Sequence, residues 1–182
     1  MTNFSITVEA TPNPQTLKFK FSQALLENPF DCPNAQEAEK SPLASKIFGF
    51  PWTNSVFLGQ DFISVTKQDW VDWDILAEPL AQLIQSHIEN EEPLYLDTPD
   101  EGINEDDSDF IQAIKKTLNK EIRPMLAYDG GDVTFTKFEN GKLFLQFQGA
   151  CSGCPSKSIT LKQGIEVRLK ELFPEITEVV GA

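Results

Sequence analysis

Cys151-Ser152-Gly153-Cys154-Pro155 sets two thiols two residues apart, between a strand-like run and a helix-like run. In a reducing compartment such a C-x-x-C spacing serves metal binding, an iron–sulfur cluster or thiol–disulfide exchange. Both metal chemistries need more ligands than this loop offers. A cubane cluster normally takes four thiolates, and a structural zinc takes four ligands. Either a second copy of the chain completes the site, or the pair works alone as a dithiol.

Only the thiolate binds metal or attacks a disulfide, and an ordinary thiol is mostly protonated at neutral pH. The residues around the pair favour the thiolate. Pro155 suits the first position of a helix, which brings Cys154 close to the positive end of the helix dipole. Lys157 adds a cation in the first turn, and Ser152, Ser156 and Ser158 offer hydrogen bonds to sulfur. Gly149 and Gly153 let the backbone approach closely. Ala150 is the only apolar residue inside the loop, so an exposed loop is expected.

No other residue competes strongly for a chemical role. Cys32, in Asp31-Cys32-Pro33-Asn34, has no partner at metal spacing and reads as an ordinary loop or half-buried thiol. His87 is the only histidine and lies far from the thiols in sequence, so no Cys₂His₂ set is available and a polar helix residue is expected. Trp52, Trp70 and Trp73, with Phe48 and Phe50, read as core packing in preference to a docking surface. The acidic run Glu101–Asp109 lacks the spacing of a calcium loop. Gly130-Gly131 reads as a backbone turn, because Asp129 and Asp132 would repel a phosphate. The spacing supports no Ser-His-Asp set and no paired-carboxylate site.

The 182 residues carry a net charge of −13, unevenly spread. Residues 1–96 hold −8, residues 97–107 hold −6, and residues 108–182 hold +1. An acidic amino-terminal half repels phosphate backbones, so nucleic acid is not an expected partner. No stretch approaches the roughly 18 apolar residues of a membrane span, and no basic, apolar leader is visible at the start. Three cysteines are too few for a disulfide scaffold. A cytoplasmic protein is expected, with no membrane partner.

The elements that must position the thiols follow from periodicity. Residues 97–107 are acidic, carry Pro and Gly, and hold one apolar residue, so they read as a linker. They separate an amino-terminal domain, residues 1–96, from a carboxyl-terminal domain, residues 108–182. In the first, Ile6–Ala10 and Leu17–Phe21 alternate as strands around a Pro-rich turn, and Val56–Leu58 and Phe62–Thr66 form a second hairpin. The stretch Asn28–Ser41 reads as loop. Asp74 to Ile88 has helical spacing, with a kink or later start predicted from Pro79. In the second domain Ser108 caps a helix running through Ile122. Strands Val133–Phe138 and Leu143–Phe147 flank Asn140-Gly141, a strong hairpin signal. The thiol loop, a helix over Ile159–Leu172 and a last strand Ile176–Val180 complete an α-β-β-α-β order. The expected fold class is α+β, as two small α/β-sandwich-like domains.

Three stretches carry a family resemblance: Ile122-Arg123-Pro124, Asp129-Gly130-Gly131-Asp132-Val133, and Gly149-Ala150-Cys151-Ser152-Gly153-Cys154-Pro155-Ser156. With them the carboxyl-terminal part resembles the NifU-like (Nfu) cluster-carrier domain. Ala10-Thr11-Pro12-Asn13-Pro14-Gln15-Thr16-Leu17-Lys18-Phe19 resembles the domain that precedes it in many Nfu proteins. The resemblance implies a homodimer that holds a [4Fe-4S] cluster between two copies of Cys151 and Cys154. It implies delivery to apo iron–sulfur proteins, loading from an upstream assembly scaffold, and no enzymatic activity. Two further readings stay open from the residues alone: a thiol–disulfide oxidoreductase and a zinc-bridged interaction module. Ser152-Gly153 between the thiols and the α-β-β-α-β order count against the oxidoreductase.

Overall fold

A computed structural model describes residues 4–96, 107–154 and 160–181. The chain divides into two compact units, Met1–Asp100 and Glu101–Ala182. Each is a mixed α+β fold with its own sheet and its own apolar core.

The first unit is built on strands β1 (Ile6–Ala10), β2 (Thr16–Phe21), β3 (Phe30–Cys32), β4 (Thr53–Leu58) and β5 (Phe62–Lys67). They form an antiparallel sheet in the order β1-β2-β5-β4-β3. The β1–β2 turn closes through side chains: Asn13 Oδ1 accepts from the Gln15 amide at 3.1 Å, and the Thr11 hydroxyl donates to the Asn13 carbonyl at 2.9 Å. Such Asx and hydroxyl bonds hold a turn without glycine. Helices α1 (Ala35–Ala38), α2 (Pro42–Phe48) and α3 (Trp73–Glu89) supply the other layer. Phe19, Phe21, Val56, Leu58, Ile63 and Val65 from the strands pack with Leu43, Ile47, Leu80 and Ile84 from the helices.

Two features differ from the expectation. The stretch expected as loop holds β3 and α1, and α2 follows it directly. Asn34 caps α1 by accepting from the Glu37 amide at 3.0 Å, and Ser41 caps α2 by accepting from the Ala44 amide at 3.1 Å. Helices of four and seven residues are too short to show a 3.6-residue period, so their caps are the only sequence signal. In addition, α3 starts at Trp73 and runs through Pro79. Ile75, whose carbonyl Pro79 cannot serve, is an exposed residue.

The second unit contains α4 (Asp109–Thr117), a π-helical turn over Leu118–Ile122, α5 (Arg123–Tyr128), β6 (Gly131–Glu139), β7 (Lys142–Gly149), α6 (Thr160–Leu172) and β8 (Glu178–Gly181). Ser108 caps α4, its hydroxyl accepting from the Ile111 amide. The expected single helix is therefore broken into α4, the π turn and α5. Pro124 has no amide to give to Lys120, and the register widens just before it: the Arg123 amide donates to Leu118. Asn140 and Gly141 both have positive φ, 52° and 76°, and join β6 to β7. β8 pairs parallel to β7, and a parallel pair needs a crossover. The thiol loop and α6 are that crossover. Ile114, Leu118, Ile122, Leu126, Val133, Leu143, Leu145, Ile165, Leu169 and Val179 form the core between helices and sheet. Among the described residues, no helix is long and apolar enough to cross a membrane.

Candidate functional site

The two thiols stand at the carboxyl end of β7, where the chain leaves the sheet. Gly149 pairs with Gly131 across β6 and β7, and the Ala150 amide donates to the Gly130 carbonyl at 3.0 Å. The Ser152 amide then turns back onto the Gly149 carbonyl at 3.0 Å. Gly149 and Gly153 hold φ of 63° and 70°, which a residue with a Cβ adopts only under strain. Two left-handed glycines thus set the path of the loop on either side of Cys151.

Cys151 is not exposed, contrary to the expectation. It is 6% accessible and belongs to the core of the second unit. The reason is Gly131. A Cβ at that position would fall 2.3 Å from the Cys151 Sγ and 3.0 Å from its backbone nitrogen. The missing methyl leaves a notch, and the sulfur fills it. Cys154 is half-buried, while Ser152 and Gly153 between the thiols are exposed. Neither cysteine is in a disulfide. Pro155, Ser156, Lys157 and Ser158, from which thiolate stabilisation was expected, lie outside the described residues.

An ion pair fixes the notch from behind. The Arg123 guanidinium donates through Nε and Nη2 to the two oxygens of Asp132, at 2.8 and 2.6 Å, and through Nη1 to Asn119 at 3.0 Å. Asp132 is 4% accessible, and its Oδ1 also accepts from the Val133 amide at 2.8 Å. A two-pronged pair of this kind is strong and geometrically exacting. It ties α5 to the first residues of β6, next to Gly131. Sequence reading took Gly130-Gly131 as a turn and Asp132 as a phosphate-repelling charge, and did not pair Asp132 with Arg123. The adjoining Gly-Gly-Asp was the available signal.

The other candidates belong to the first unit. Cys32 is wholly buried on β3 in the core of the first unit. Burial, with Asp31 and Glu37 nearby, pushes its thiol up to about 12, so it is the inert kind of cysteine. His87 is 1% accessible, more buried than a polar helix residue should be. Its Nε2 bonds the Pro93 carbonyl at 3.1 Å, and burial pushes its pKa down. Trp52 is buried, its ring 5.3 Å from that of Phe50 and 6.4 Å from that of Trp73, as expected of packing. Trp70 instead stands 68% exposed. Among the described residues, no group of three or more His, Cys, Asp or Glu side chains is arranged to hold a metal ion.

Residues 114–180 match the NifU-like domain, and residues 6–91 match the domain described as scaffold protein Nfu/NifU N terminal. The chain belongs to the NifU-like family. It is 41% identical over 182 residues to NifU-like protein 5, mitochondrial, of Arabidopsis thaliana, covering 96% of this chain and 66% of that one. It is 37% identical over 182 residues to the NFU1 iron-sulfur cluster scaffold homolog, mitochondrial, of Drosophila ananassae, covering 97% and 64%. The chain therefore spans less than two thirds of the length of these curated relatives. A NifU-like protein from Saccharomyces cerevisiae, solved by solution NMR, aligns with a TM-score of 0.47 and 24% identity, over 54% of this chain and 92% of that one. The expectation of a cytoplasmic protein is corrected by these relatives, which are named as mitochondrial. Composition and the lack of a visible leader say nothing about which reducing compartment a folded chain occupies.

Proposed function

We propose that this NifU-like chain is an iron–sulfur cluster carrier and not an enzyme. A [4Fe-4S] cluster is its cargo, held by Cys151 and Cys154 from each of two copies and passed to apo iron–sulfur proteins. The observation that carries this reading is the ligand count. Two thiols share one loop, and no larger ligand group exists among the described residues. Two thiolates from each of two chains make the four that a cubane takes. Relatives named as iron-sulfur cluster scaffolds support the same cargo. An upstream assembly scaffold is the expected donor.

Anaerobic reconstitution with ferrous iron and sulfide, followed by metal analysis and sedimentation, tests the reading. The expected product is a dimer with about four iron per two chains. A monomer holding a complete cubane would refute it. A colourless dimer holding zinc would mark a zinc-bridged module, and a redox-active monomer a dithiol oxidoreductase.

A further inference from the structure

The outer face of α5 carries large apolar side chains and no charge. Pro124, Met125 and Tyr128 are exposed, Met125 to 48% and Tyr128 to 82%. The one charged residue of this helix, Arg123, is turned to Asp132 and Asn119. A charge-free face is unusual in a chain with 24% charged residues. Met125 and Tyr128 stand three apart and share one side of the helix. Exposed apolar patches mark interaction surfaces, and the cores of such surfaces are depleted in charge and enriched in Tyr and Met.

The position of this face says what covers it. Tyr128 is three peptide units from Gly131, so their Cα atoms lie within about 11 Å. Gly131 is in turn the notch that receives the Cys151 sulfur. A second copy that brings its own thiols to the same cluster must pass over whatever surrounds this loop. Net charge opposes contact between copies far less in this unit than in the other. Residues 1–96 carry −8 and repel their own copy, whereas residues 108–182 carry +1.

We infer that Pro124, Met125 and Tyr128 form the surface on which a second copy of this chain seats when two thiol loops share one cluster. The inference rests on the carrier reading above. A two-fold arrangement sets the same patch on both sides of the contact. Tyrosine supplies a stiff anchor, and methionine adapts to the gap beside it.

The full chain is reconstituted anaerobically as wild type, as Met125→Glu/Tyr128→Glu and as an Ile75→Glu control from the other unit, and each is sedimented over a dilution series. The double variant is expected to keep its circular dichroism spectrum and to dissociate at a concentration at least about tenfold higher. The control is expected to match wild type. A double variant that dimerises as tightly as wild type overturns the inference and leaves the carrier reading standing. A wild type that takes up no cluster, or stays monomeric with one, overturns both. A benzophenone amino acid placed at position 128 gives an independent readout, even if the glutamate variant misfolds. It is expected to link two chains in the loaded protein and not in the apo protein. Loaded dimers without that link would refute the inference.

Discussion

Cys151 and Gly131 form one unit of structure, a sulfur and the absence of a methyl. Gly131→Ala would push a Cβ into a sulfur 2.3 Å away, with a backbone nitrogen at 3.0 Å behind it. Overpacking of this kind costs about 1–3 kcal/mol, and here the strain falls on the proposed cluster ligand itself. The variant is expected to fold, to expose Cys151 to thiol reagents and to lose cluster on desalting, read as iron per chain. Cys32→Ala is expected to do the reverse. It removes a wholly buried sulfur from the first core and lowers stability by roughly 1–2 kcal/mol, while iron uptake stays at the wild-type level. In the proposed carrier Cys151→Ala and Cys154→Ala each remove two of four ligands by symmetry and should leave no stable cluster. The pair of thiols was legible because its spacing is local in sequence. The burial of Cys151 was not, because the notch comes from a residue twenty positions earlier that only strand pairing brings alongside.

Among the elements, α5 is held to β6 by the Arg123–Asp132 ion pair as well as by the packing of Leu126 and Val133 in the shared core. Arg123→Ala leaves the Asp132 carboxylate buried without its main cation, a loss of about 3 kcal/mol. Urea titration is expected to show an earlier midpoint with an unchanged slope. At the carboxyl end of α3, His87 holds the following segment through the Pro93 carbonyl, with Nδ1 3.7 Å from a Glu92 carboxylate that is itself paired to Lys46. Burial is the largest cause of its lowered pKa. The unfolded chain therefore binds this proton more readily than the folded one. Stability attributable to His87 is present above about pH 6.5 and is lost as pH falls from there through the depressed folded value. Thermal melts from pH 7.5 to 5 should show this decline, and His87→Gln should flatten it. Elements with a long period or a strong turn signal were legible: α3, both early hairpins and the Asn140-Gly141 turn. β3, α1 and α2 were not. Three to seven residues give no period to read, and their identity is settled by what they pack against.

The separate cores of the two units give each a stake in function. Residues from Glu105 onward include every member of the second core and both thiols. A fragment beginning there is expected to fold, dimerise and take up cluster. The acidic first unit, which groups no metal ligands among its described residues, is expected to select the partner, and transfer rates to several apo-acceptors at low and high salt would test this. Equal rates with and without that unit for every acceptor would remove the idea. Charge and composition place a linker at residues 97–107, of which only Asp107 lies among the described residues. The buried setting of Cys151 has a further consequence in time. A sulfur sealed in a core reacts only during brief local openings, whose frequency is a property of the fold and not of the reagent. Iron capture should then saturate: beyond a threshold, more ferrous iron gives no faster loading. That ceiling should match the hydrogen-exchange opening rate of the Ala150 amide, and the same latch would shield the empty protein from oxidation while it waits.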